Sequence, residues 1–166
     1  MNMVYKTNRL WSDRLIPEIR NIVGGQLLQV APDDLDQHNA TDLLMLDARD
    51  VRVAARVRRP GYAARYPHQF TVRSRVPSGA ETELSKIVNG HGDWMFYGHA
   101  NLAQTAIESW KLIDLNAFRA GLIRLGTQKL LWGNKTNADG TRFTWFDTRS
   151  FPAHPPLVIA SSEYSL

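Results

Sequence analysis

The sequence predicts an α/β fold: a single domain over residues 1–166 whose central mixed β-sheet is flanked by helices. Three observations lead to it. Residues 12–23 carry apolar side chains at helical spacing, residues 51–58 and 69–76 alternate with a period of two, and helix-type and strand-type segments interleave along the chain. The length suits one core, as in chains of up to roughly 150–200 residues. A hydrophobic content of 43% with 22% charged residues sets aside disordered and low-complexity classes.

In residues 12–23, Leu15, Ile16, Ile19, Ile22 and Val23 form the apolar stripe, Ser12 or Asp13 is the expected N-cap, and Pro17 falls in the first turn. Gly24 and Gly25 are expected to end this helix. A short strand at 26–31 leads into an acidic loop at 32–41, whose Asp33, Asp34 and Asp36 suit a cation, plain solvation, or a phosphate mimic lying over the arginine face when nucleic acid is absent. Residues 42–46 and 51–58 read as a hairpin around the turn 47–50. In its second strand Val51, Val53, Ala55 and Val57 face one way, and Arg52, Ala54, Arg56 and Arg58 the other. Pro60-Gly61 breaks that strand. In 69–76, Phe70, Val72, Ser74 and Val76 oppose Thr71, Arg73 and Arg75. Were the two strands neighbours, their arginines would form a ladder.

A turn at 77–79 precedes a helix at 80–89 ended by Gly90, and 94–98 reads as a buried strand. Residues 101–125 mix a short strand with a helix capped by Asn116. The turn 137–140 precedes a period-two strand, 141–147, in which Phe143 and Trp145 lie opposite Phe146 and are candidates for exposure. Residues 157–160 are a last strand, with a loose tail from Ser161. Trp94, Phe96, Trp110, Phe118 and Trp132 are expected core residues.

The absence of cysteine excludes disulfides, iron–sulfur clusters and cysteine zinc sites, and fits a reducing cytoplasm. No apolar run reaches the roughly 18 residues of a spanning helix, and the first residues lack the apolar stretch of a secretory signal, so no membrane role is expected. His91 and His99 flank one strand at opposite ends, and no zinc spacing, nucleophile elbow or Walker pattern occurs.

The charge is uneven. The chain has 15 arginines against 5 lysines, and eight of those arginines (Arg49, Arg52, Arg56, Arg58, Arg59, Arg65, Arg73, Arg75) fall between residues 49 and 75 with one acid, Asp50. The remaining residues are net acidic. Guanidinium groups grip phosphate bidentately, so a clustered set is the footprint of a nucleic-acid binder, DNA before RNA. Tyr62 and Tyr66 sit among these arginines and suit base stacking.

Glu18 on the first helix, Asp42 at the start of a strand, and the order helix, three strands, helix, strand, with an extra strand at 69–76 before the second helix, together resemble the PD-(D/E)XK nuclease superfamily over about residues 12–98, with 99–166 as a C-terminal extension. The resemblance implies a restriction-endonuclease-like αβββαβ core and phosphodiester hydrolysis with Mg2+ or Mn2+. Glu18, Asp42 and Glu83 would then hold the metal, and Asp42, Glu83, Lys86 and Arg56 would carry the chemistry. The family's acid-x-lysine triplet is missing: pairing 46 with 51 puts Asp42 opposite Ala55, and neither Ala54–Arg56 nor Ala55–Val57 contains a carboxylate. Arg56 would replace the lysine, and Glu83 with Lys86 would supply groups from the second helix, where they equally form a surface ion pair.

The expected function is therefore a metal-dependent DNA nuclease. The alternative is a non-catalytic nucleic-acid-binding or host-protein-interacting accessory protein of a phage or mobile element, on a degenerate nuclease-like fold. In either case Arg52, Arg56, Arg58, Arg59, Arg65, Arg73, Arg75, Tyr62 and Tyr66 form the nucleic-acid face.

Overall fold

The computed structural model describes residues 9–30, 43–45 and 51–162, which form an α/β fold with a mixed sheet. Residues 9–13 are helical, and helix α1 follows at Ile16–Leu27. The strands are β1 Leu28–Val30, β2 Leu43–Met45, β3 Val53–Arg58, β4 Gln69–Arg75, β5 Trp94–Ala100, β6 Ile107–Asp114, β7 Trp132–Thr136, β8 Arg142–Asp147 and β9 Val158–Ser161. Three further helices intervene: α2 Tyr62–Arg65, α3 Glu83–Val88 and α4 Leu115–Lys129.

The strands form a four-stranded sheet in the order β3-β5-β6-β9, a three-stranded sheet β4-β8-β7, and a two-stranded ribbon β1-β2. The four-stranded sheet is mixed, since β3 runs parallel to β5 while β6 is antiparallel to both β5 and β9. One of its faces takes α1: Leu15, Ile19 and Val23 pack on Phe96 and Leu112, flanked by Val57 and Trp110. The other face contributes Met95, Tyr97 and Ile113 to a larger core with Phe70, Val72 and Phe146 of the second sheet and Phe118 of α4. Alternation along β5 thus sends successive side chains into two different cores, which is why this strand is almost continuously apolar.

Several local expectations hold. Phe70 and Val72 are fully buried. Gly90, at φ 90°, ends α3 as expected, although the helix starts at Glu83 rather than residue 80, where Thr82 caps it by accepting from the Ser85 N–H. Gly140, at φ 80°, turns the chain between β7 and β8.

Others are corrected. Gly24 and Gly25 do not end the first helix, which runs on to Leu27. The two glycines meet nothing within 4 Å, and packing of Leu15, Ile19 and Val23 on the sheet outweighs their roughly 1 kcal/mol propensity cost each. Ser12 is not a cap, since its hydroxyl donates back to the Arg9 carbonyl. The hairpin joining the strand at 42–46 to 51–58 does not form: β2 pairs with β1, and β3 pairs in parallel with β5. Parallel pairing needs a long crossover, supplied here by α2, β4 and α3. The cap of α4 is Asp114 rather than Asn116, its carboxylate accepting from the Asn116 and Ala117 N–H groups. Trp132 is 37% exposed, because it sits on the outer strand of the second sheet, and Ser161 is a buried residue of β9 rather than part of a loose tail.

Among the described residues no helix is long and apolar enough to cross a membrane.

Candidate anion-binding site

The arginine-rich strands β3 and β4 are not neighbours. Each is the edge of a different sheet, and β4 pairs with β8. The predicted in-register ladder is therefore absent, yet part of it is rebuilt by packing. Alternation puts Ala54, Arg56 and Arg58 on one side of β3, and Ala54 joins the larger core, so the two arginines point inward toward the second sheet. On that sheet Arg73 and Phe143 are cross-strand partners. The three guanidiniums meet over the Phe143 ring, with Arg56, Arg58 and Arg73 at 5.2, 5.8 and 5.7 Å from its centroid. Arg58 also lies 4.4 Å from the Tyr62 ring. Such cation–π contacts hold the planar groups by their faces and leave the N–H edges for hydrogen bonds.

Glu83, in the first turn of α3, is the counter-charge. One oxygen, Oε2, accepts from both the Arg56 guanidinium and, at 3.0 Å, the Arg73 backbone N–H. This satisfies one N–H on the free edge of β4 and fixes Arg56, whose side chain is 15% exposed. One carboxylate does not satisfy three guanidiniums: the Nε atoms of Arg56, Arg58 and Arg73 are buried without a hydrogen-bond partner. Desolvated, unpaired donors of this kind cost about 1–3 kcal/mol each, so the cluster is built against its own stability.

The remaining predicted residues are spread more widely. Arg75 is exposed, because a register shift after Arg73 ends the regular alternation of β4. Arg65 and Tyr66 are exposed on and just after α2, with the Tyr66 ring 6.4 Å from that of Tyr62. Arg52 is held by Asp93, whose carboxylate it keeps below the usual range through hydrogen bonds. Arg59 lies over Trp11 and donates to Gln104. Arg49 lies outside the described residues.

The candidate metal ligands do not come together among the described residues. Both oxygens of Glu18 accept from the Ile107 N–H, at 3.1 and 3.0 Å, and Glu83 is committed to the arginines. Asp42, with Asp33, Asp34 and Asp36, lies outside the described residues, and among the described ones no group of three or more metal-ligating side chains occurs. Lys86 is exposed, one turn along from a Glu83 that has turned to Arg56 instead. A cavity of about 360 Å3, walled by Leu84, Val88, Leu122 and Phe146, opens on the face of β8 opposite Phe143 and is not part of the cluster.

His99, the β5 partner of Arg58, is buried, and its Nδ1 is 3.1 Å from the Ser109 hydroxyl. Burial first, then the Lys111 and Arg58 charges, pushes its pKa from 6.5 down to about 4. Between those values the unfolded chain binds a proton that the folded chain refuses. Stability is thus unaffected above about pH 7 and falls as pH drops from about 6.5 to about 4, by up to about 3 kcal/mol. Urea unfolding at pH 7.5 and 4.5 should show this loss in the wild type and a smaller one in His99→Gln. Equal pH dependence in the two proteins would refute it.

Sequence reasoning identified the arginines but not Phe143 as their platform or Glu83 as their clamp. The signal for Phe143 was the alternation that set it and Trp145 against the buried Phe146. No protein-family model, curated protein or solved structure matches the chain.

Proposed function

We propose that this protein binds single-stranded nucleic acid, DNA before RNA, at the cluster formed by Arg56, Arg58, Arg73 and Phe143. The observation that carries the reading is the set of three guanidiniums over one ring with buried, unpartnered Nε atoms. A protein gathers like charges where an anion adds acceptors, and here it would meet the terminal N–H groups of Arg58 and Arg73 rather than the enclosed Nε atoms. Tyr62 and the 38% exposed Tyr66 offer ring faces to unstacked bases, and Arg65 and Arg75 lie exposed as outer phosphate contacts.

Arg58→Gln combined with Arg73→Gln keeps the side-chain stems and Glu83 in place. It should weaken binding of a fluorescent single-stranded oligonucleotide by at least about thirtyfold. Two lost phosphate contacts should flatten the slope of log K against log salt by about 1.4. An unchanged affinity and slope in the folded double variant would reject the site. Hydrolysis is the finer proposal, supported by Glu83, the carboxylate that reaches the cluster among the described residues, and by the acidic Asp42 upstream in the sequence. Cleavage of the same oligonucleotide in Mg2+ that is abolished by Asp42→Ala would add it; intact oligonucleotide leaves a non-catalytic binding protein.

A further inference from the structure

The charge and shape of the cluster select the kind of phosphate. A surface that tracks a nucleic-acid backbone strings its cations along a groove, one near each phosphate. Here the three guanidiniums instead gather within 5.8 Å of one ring centroid. Among the described residues Glu83 alone stands against them, so within that set three positive charges and one negative leave two positive charges around one ring. Of the neighbouring groups, Tyr97 and Thr71 share a hydrogen bond of 3.2 Å and the His99 ring is held neutral by burial, while Lys111, whose charge reaches His99, adds to the positive side.

An internal phosphodiester carries one negative charge and two free oxygens. A terminal phosphomonoester carries close to two charges at neutral pH and three free oxygens. The second matches the uncompensated charge of the cluster and offers one acceptor oxygen for each guanidinium.

We infer that the cluster receives the terminal phosphate of a nucleic-acid strand, so that the protein recognises phosphorylated ends. This rests on the nucleic-acid reading above and adds the ligand group to it. The shared chemistry, a phosphate dianion, also exists as free phosphate, and the test separates the two.

Binding is measured for one single-stranded 12-nucleotide probe in three forms, 5′-phosphorylated, 3′-phosphorylated and with both ends hydroxyl, and for the phosphorylated forms again in competition with inorganic phosphate. One phosphorylated form should bind about tenfold more tightly than the hydroxyl form, and inorganic phosphate should displace it. Arg58→Gln with Arg73→Gln should erase that difference, with the fold verified by circular dichroism, while weaker binding common to all forms persists. Equal affinity for all three oligonucleotides would overturn the inference and leave the nucleic-acid reading intact. No binding to any oligonucleotide would overturn both. Tight binding of inorganic phosphate with no preference among the oligonucleotides would assign the cluster to the free anion and overturn the end-recognition claim.

Discussion

Glu83→Ala is expected to lower folding stability by about 3 kcal/mol, measured as the shift in the urea unfolding free energy at pH 7. Two losses add. Removing one partner of a buried ion pair costs several kcal/mol, discounted here to about 2 because the Glu83 and Arg56 side chains keep 24% and 15% exposure. The Arg73 N–H, at the edge of β4, also loses its acceptor, for about another 1 kcal/mol. Glu83→Gln keeps an acceptor for that N–H and removes only the charge, so it should lose more than half of the same amount. If alanine and glutamine variants both lie within roughly 0.5 kcal/mol of wild type, Glu83 does not hold the arginines, and the cluster is a loose surface feature.

Phe118→Ala should cost still more, about 4 kcal/mol, with a fall in melting temperature of roughly 12 °C for a chain of this size. Phe118 is fully buried on α4, with ring centroids 5.5 Å from Phe70, 5.0 Å from Phe146 and 5.7 Å from Phe151. It therefore joins α4 to β4 and β8, the strands that carry Arg73 and Phe143. Truncation opens a cavity that three rigid rings cannot close. Phe118→Leu refills most of the volume and should cost less than about 1.5 kcal/mol. Similar stability of the alanine and leucine variants would show that the rings do not hold the second sheet in place. The same alanine variant should bind the oligonucleotide less tightly, since half of the arginine cluster rides on that sheet.

The two predictions divide the molecule sensibly. Phe118 tests the apolar core that makes the scaffold, and Glu83 tests the polar contact that turns two sheet edges into a site. A protein in which the first holds and the second fails would be a well-packed α/β fold with an inert arginine surface. Loss at Glu83 with intact packing at Phe118 would identify strain stored at the cluster itself.

Local signals in the chain were enough for most of the elements, though not for α2 or β7, and for the choice of side. Period-two alternation placed Phe70 and Val72 against Thr71 and Arg73, and Ala54, Arg56 and Arg58 together, because strand geometry fixes which neighbours share a face. The terminator of α3 was legible for the same reason, since Gly90 satisfies a backbone requirement within one turn, whereas its start, expected at residue 80, falls at Glu83 behind a Thr82 cap. The acidic cap of α4 was misplaced by two residues, since Asp114 and Asn116 both suit the role and the choice depends on where β6 lets the chain go.

Amino-acid order by itself determined an α/β fold, the strand faces and a dense stretch of guanidiniums between residues 49 and 75. Only the tertiary structure decided which strands are neighbours. It parted β3 from β4, put β5 beside the first and β8 beside the second, and so made Phe143 the meeting point of Arg56, Arg58 and Arg73. The physical reason is that facing within a strand is set by adjacent residues, whereas pairing between strands is set by burial summed over the whole core. Phe143 follows Arg73 by 70 positions, and no local pattern reports a contact over that separation.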